Sequence, residues 1–156
     1  MTSNTDTGTH DYQAVLDLPT DPRTVAELFT SAEGVSRWWG PTEGDATVGG
    51  VLVSDFGRYG VHTQRVREAG PDRVVWEPIV VPGTRPTEDT QEWLGTTIEI
   101  DIAPTDTGTR LRFRHAGLTP RLDCWDACSN GWAQFMASIE SYARTGTGTP
   151  WGGGDA

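Results

Sequence analysis

Along this chain, apolar residues alternate with polar ones in some stretches and recur at three- and four-residue steps in others. "YQAVLDL" sets Tyr12, Ala14, Leu16 and Leu18 at every second position, the mark of a half-buried strand. "TDPRTVAELFTS" offers Thr20 or Asp21 as N-cap, Pro22 in the first turn, and Val25, Leu28 and Phe29 as a buried stripe, which predicts a helix. Gly34 interrupts the pattern, and "VSRWW" predicts a second short helix stopping at Gly40-Pro41.

From Asp45 to His115 the period changes to two. "DATV" and "VLVSDF" read as strands around Gly49-Gly50, "RYGVHTQRVREA" runs to the turn Gly70-Pro71-Asp72, and "RVVWEPIV" follows. "VVPGTRPTEDTQ" reads as a long loop that could act as a lid. "WLGTTIEIDIA" puts Leu94, Thr96, Ile98, Ile100 and Ile102 on one side, with Trp93, Thr97, Glu99 and Asp101 on the other. In "TRLRFRHA", Leu111, Phe113 and His115 oppose Arg110, Arg112 and Arg114, whose charges balance Glu99 and Asp101 across the hairpin.

The helical period returns from about Leu122 to Arg144. Trp125, Cys128, Trp132, Phe135, Met136, Ile139 and Tyr142 form one apolar stripe on a helix about 30 Å long. The order predicts an α+β domain over residues 12–146. Six to seven antiparallel strands curve around a long C-terminal helix, with two short helices after the first strand. Residues 1–11 and 147–156 read as flexible tails, although Trp151 could dock.

Composition narrows the function. The chain has 156 residues, enough for one real core, and a formal charge of −10 with all twelve basic residues arginine. Such a surface repels phosphate backbones, so no nucleic-acid partner is expected. No apolar run reaches the roughly 20 residues of a membrane span, and "MTSNTDTGTHDY" lacks the order of a signal peptide. No membrane insertion and a cytoplasmic location are expected. Cys124 and Cys128, four apart, suit a disulfide poorly and do not match a zinc pattern, which predicts free, buried thiols. No nucleophile motif, phosphate loop, dinucleotide fingerprint or HExxH is present, so neither metal nor cofactor is expected.

Seven tryptophans exceed what packing usually demands. A pocket between sheet and helix could be lined by Trp38, Trp39, Phe56, Tyr59, Trp76, Trp93, Phe113, His115, Trp125, Cys128 and Trp132. Adjacent Trp38 and Trp39 point about 100° apart on a helix, so either they plug the wide end of the sheet or one of them faces an opening. His62 and His115 are either hydrogen-bonded within the sheet or serve as a polar anchor or general base. Asp126 and Asn130 form a polar strip on the long helix, and Gly131 reads as a point of close approach to the sheet.

Several of these segments, taken in order, resemble the START-like helix-grip (SRPBCC) superfamily. They are "DPRTVAELFTSAEGVSRWWG" after the first strand, "VGG" before the third, "GPDRVVW" in mid-sheet, the "GTRLRFRHAGL" hairpin and the "SNGWAQFMASIESY" helix. More narrowly they resemble the branch related to the C-terminal domain of the activator of heat-shock-protein-ninety ATPase. The resemblance spans Tyr12 to Gly146 and implies a helix-grip fold. Three functions are compatible with it. The first is a non-catalytic binding protein, monomer or homodimer, for a small hydrophobic, aromatic or polyketide-like molecule, in sequestration or self-resistance. The second is a cyclase or dehydratase with His115 or His62 as base, and the third is an interaction module of the chaperone-activator kind.

Overall fold

The computed structural model describes residues 11–81 and 91–151. The expected lid loop falls largely outside these residues, as do most of the N-terminal tail and the last five positions.

Strand β1, Tyr12–Leu18, is followed by helices α1, Pro22–Glu27, and α2, Ala32–Ser36. Asp21 caps α1 by accepting from the Thr24 N–H at 2.8 Å, with Pro22 just inside, and Ser31 caps α2 through Gly34 N–H at 2.9 Å. Val25, Leu28 and Phe29 are buried, as the stripe required. Gly34, read from sequence as a break, lies within α2. A Cβ there would collide with the Glu27 carbonyl, so glycine serves the close approach of α1 and α2.

Six strands follow: β2, Thr42–Gly44; β3, Val51–Asp55; β4, Val61–Ala69; β5, Arg73–Ile79; β6, Thr97–Thr105; and β7, Gly108–Ala116. Helix α3, Trp125–Thr145, closes the chain. The strands form one antiparallel sheet in the order β1-β7-β6-β5-β4-β3-β2, so the first strand returns to pair with the last. A register shift between Val66 and Glu68 bends β4 and adds to the curvature. This is the helix-grip architecture that the patterning and the resemblance predict.

Three local expectations are corrected. "DATV" is no strand: Asp45 accepts from both the backbone N–H and the hydroxyl of Thr47, and this side-chain turn outcompetes strand pairing. "GRY" is a 3-10 turn rather than the start of β4. Trp93 is not on the wet face of β6. The Thr96 N–H and hydroxyl both bond to the Trp93 carbonyl, with Gly95 at φ +88°, and this turn swings the indole into the core.

On β6 and β7 the alternation holds. Ile98, Ile100, Ile102, Leu111 and Phe113 face inward, and the arginines face out. Arg114 approaches Glu99 at 3.8 Å, but it contacts Asp11 more closely, at 2.8 Å, and Asp101 pairs with Arg73 at 2.6 Å. The long helix lies against β1 and inserts Trp132 over Phe113 of β7 at 4.6 Å. No helix among the described residues is long and apolar enough to cross a membrane.

Candidate functional site

The interior between sheet and α3 is built from near-parallel indoles. Trp93 stacks on Trp132 at 5.6 Å, and Trp132 on Trp39 at 5.5 Å. Trp39 also stacks on Trp38 at 5.8 Å and on Trp76 at 6.0 Å, all within 19° of parallel. Such layers match the electrostatics of offset aromatic faces. Phe135 of α3 meets Trp39 nearly edge-on, at 87°.

The tryptophan pair divides its work. The chain tightens after α2, where the Trp38 and Trp39 N–H groups both reach the Val35 carbonyl. Trp38 turns towards the helices and donates its Nε1–H to Leu28 O at 2.8 Å. Trp39 stacks on its other side, in the space under α3. Both indoles are buried, but only Trp39 borders open space.

That space is a cavity of about 340 Å³. Its floor is Trp39, Phe56, His62, Trp93, Cys128 and Trp132, all buried. Its rim carries Tyr59 from the 3-10 turn, Ala127, Asn130, Gly131, Gln134 and Phe135 from α3, and Trp151. Among the sequence-nominated residues, Trp38, Trp76, Phe113, His115 and Trp125 are not wall residues. Trp38 and Trp76 stand behind Trp39, Phe113 lies beneath Trp132, and Trp125 sits half-buried at the start of α3. Asn130 and Gln134, spaced i, i+4, form the polar edge, while Asp126 is exposed beyond it.

Gly131 departs from its expected role. A Cβ at this position would meet nothing within 4 Å, so the helix does not need glycine for close approach. The missing side chain instead leaves the cavity wall open.

The two buried histidines have opposite environments. His115 is fully engaged: Trp132 Nε1–H donates to its Nδ1 at 3.0 Å, and its Nε2 stands 2.8 Å from Thr96 Oγ1. Because Nδ1 accepts, the proton sits on Nε2, which donates to the Thr96 hydroxyl, and that hydroxyl donates to the Trp93 carbonyl at 2.6 Å. Burial, with His62 nearby, lowers the His115 pKa to about 3. His62 is packed against Trp93 at 4.2 Å and edge-on to Phe56 at 5.5 Å, and its Nδ1 has no hydrogen-bond partner. Burial lowers its pKa to about 4, so it too is neutral near pH 7.

Cys124 and Cys128 are buried and not disulfide-bonded, and Trp93 Nε1–H points to Cys128 Sγ at 3.4 Å. Among the described residues, no group of three or more His, Cys, Asp or Glu side chains is arranged to hold a metal ion.

Comparisons with known proteins fit this geometry. The family model described as Activator of Hsp90 ATPase homolog 1-like protein matches residues 19–144. The solution structure of the Aha1 dimer from Colwellia psychrerythraea superposes with a TM-score of 0.74 at 22% identity, covering 89% of this chain and 99% of that one. Protein MLL2253 from Mesorhizobium loti gives 0.69 at 19% identity, with 87% and 98% coverage. DynU16, from the dynemicin biosynthetic locus, gives 0.67 at 19% identity and is matched over 48% of its length and 87% of this chain. At these identities the likeness is one of fold. No curated protein matches the sequence.

Proposed function

The chain belongs to the Activator of Hsp90 ATPase homolog 1-like family, and within that family we propose that it is a binding protein for a small, flat, apolar molecule of aromatic or polyketide-like character. The observation that carries this reading is the cavity of about 340 Å³, floored by the stacked faces of Trp39, Trp93 and Trp132. A cavity of roughly 150 Å³ admits benzene, so this one suits a body of about two fused rings.

Gly131 supports the reading. Glycine in a helix interior costs roughly 0.5–1 kcal/mol relative to alanine. With no packing reason for its presence, open volume at the wall is what it provides. A catalytic version of the site would have to rely on His62, because both nitrogens of His115 are committed.

We place this activity in the cytoplasm, in sequestration or self-resistance. DynU16, a fold relative, belongs to a biosynthetic locus. A homodimer is proposed on the description of the Colwellia relative as a dimer, and sedimentation of the purified chain tests it.

Equilibrium dialysis against 2-methylnaphthalene tests the binding reading. The wild type should bind saturably with quenching of tryptophan fluorescence. Gly131→Leu, which introduces a good helix former into open space, should fold and lose binding. Unaltered binding by that variant, or no binding by the wild type, would sink the reading.

A further inference from the structure

The structure satisfies one buried histidine and leaves the other open. His115 is held by Trp132 and Thr96 in a single proton arrangement. His62 is nine-tenths buried, forms part of the cavity floor and has an unpartnered Nδ1. Nδ1 is itself closed off within the wall, so the ring's other nitrogen, Nε2, is the one left to meet what enters the cavity. Buried polar groups in folded proteins are almost always paired, and this unpaired ring in the floor points to a partner that arrives with the ligand.

The deficit is not confined to one atom. Gln64 lies two residues further along β4 on the same inward face, fully buried, and neither its Nε2 nor its Oε1 has a partner. On β5, Trp76 faces Val66 and is therefore diagonal to Gln64, and its Nε1–H is unpartnered as well. Inward from His62, the middle of the sheet thus carries a polar seam inside an aromatic core. His62 itself is fixed in place, with Trp93 at 4.2 Å, Phe56 at 5.5 Å and Trp39 at 6.4 Å around its ring.

We infer that His62 is the polar anchor of the cavity, and that the molecule it receives is an uncharged aromatic bearing a hydroxyl group set against the imidazole. This inference rests on the binding reading above and names the ligand class for the same site. A neutral imidazole offers one N–H and one lone pair, which a hydroxyl, donor and acceptor at once, can meet in either tautomer. A carboxylate gains no counter-charge from a neutral ring and must shed its hydration to enter an apolar floor. A plain hydrocarbon leaves the ring unpaired.

Three probes of one shape separate these cases: 2-naphthol, 2-methylnaphthalene and 2-naphthoate, each measured by equilibrium dialysis at pH 7. A cavity without an anchor favours the methyl compound, because the hydroxyl loses water without recompense. With His62 as anchor, 2-naphthol should bind about five- to tenfold more tightly than 2-methylnaphthalene, the size of one net hydrogen bond. 2-Naphthoate should bind most weakly of the three. His62→Phe should reverse the order of the two neutral probes. His62→Gln, which retains hydrogen-bonding groups, should keep the preference for 2-naphthol.

Failure of every probe to bind the wild type would overturn the binding reading itself. If 2-methylnaphthalene binds wild type as tightly as 2-naphthol, or 2-naphthoate binds best, the binding reading stands and the ligand class is wrong. A preference for 2-naphthol that survives in folded His62→Phe would remove His62 as the anchor. The wild-type probe order decides the ligand class even if His62→Phe does not fold.

Discussion

Trp132 Nε1 and His115 Nδ1 lie 3.0 Å apart, joining the middle of the long helix to the last strand of the sheet by a buried hydrogen bond. The bond fixes more than distance. It sets the tautomer of His115, aligns the Thr96 hydroxyl with the Trp93 carbonyl, and so holds the turn that brings Trp93 inward. His115→Leu should leave the indole N–H of Trp132 buried and unpaired, costing roughly 1–3 kcal/mol beyond any change in packing. Trp132→Phe keeps an aromatic ring but orphans Nδ1, and should cost at least as much. Urea midpoints measure both, and a midpoint unchanged in either variant would show that this link contributes nothing to stability.

Acid should destabilise the fold through the two histidines. Their folded-state pKa values, about 4 for His62 and about 3 for His115, lie below the ordinary value of 6.5. The unfolded chain therefore takes up protons first as pH falls. Their contribution is complete above about pH 6.5, declines from there, and is fully lost only below the folded values. Each titrating histidine gives a slope of at most about 1.4 kcal/mol per pH unit in that window. Urea melts between pH 8 and pH 5 should show falling stability below about 6.5. The decline should be shallower in His62→Phe, and an equal decline in that variant would contradict the assignment.

Gly131 predicts a gain in stability at a cost to binding. Alanine adds a methyl group to open space and removes the backbone entropy of glycine, so Gly131→Ala should stabilise by about 0.5–1 kcal/mol. The added methyl narrows the cavity wall, and affinity for 2-methylnaphthalene should fall. Thermal melts and dialysis read the two effects separately. Destabilisation would mean that the helix does need glycine there.

The architecture was legible because its signals are periodic. Alternation along β1, β6 and β7, and the stripe from Cys128 to Ile139, each follow from one face being buried. The site was harder to read because its geometry is set where periodicity ends. Trp93 carries a strand's alternation yet is turned inward by Thr96 and Gly95, and Trp38 and Trp39 stack on each other, rather than pointing about 100° apart, where the chain tightens after α2. The opposite fates of His62 and His115 depend on partners 17 to 19 residues away from His115, on the long helix and in the turn before β6. Local sequence carries no such information. On the rim, Tyr59, Asn130, Gly131 and Trp151 were legible as candidates, but the polar strip was placed one turn early, on Asp126 and Asn130, where the rim carries Asn130 and Gln134.

Trp151 lies beyond the region matched by the family model and yet forms part of the cavity rim. Thr149 N–H donates to Ser138 Oγ at 2.7 Å and Trp151 N–H to Trp39 O at 3.0 Å, drawing the segment after α3 back over the site. The indole then meets Phe56 at 5.7 Å and Tyr59 at 6.2 Å, both edge-on. Trp151→Ala should weaken binding of 2-methylnaphthalene by about 1 kcal/mol, or roughly fivefold, as expected for losing part of a buried apolar wall. The cost to stability should be smaller, because the indole is only half-buried and near the chain end. A second variant acts from the other side. Gly57 has φ +59°, and a Cβ there would stand 2.8 Å from the Trp151 ring, so Gly57→Ala should displace the indole without altering it. Both variants should release the probe faster than wild type in stopped-flow fluorescence. If both bind and release it as wild type does, Trp151 covers the site without touching what enters it.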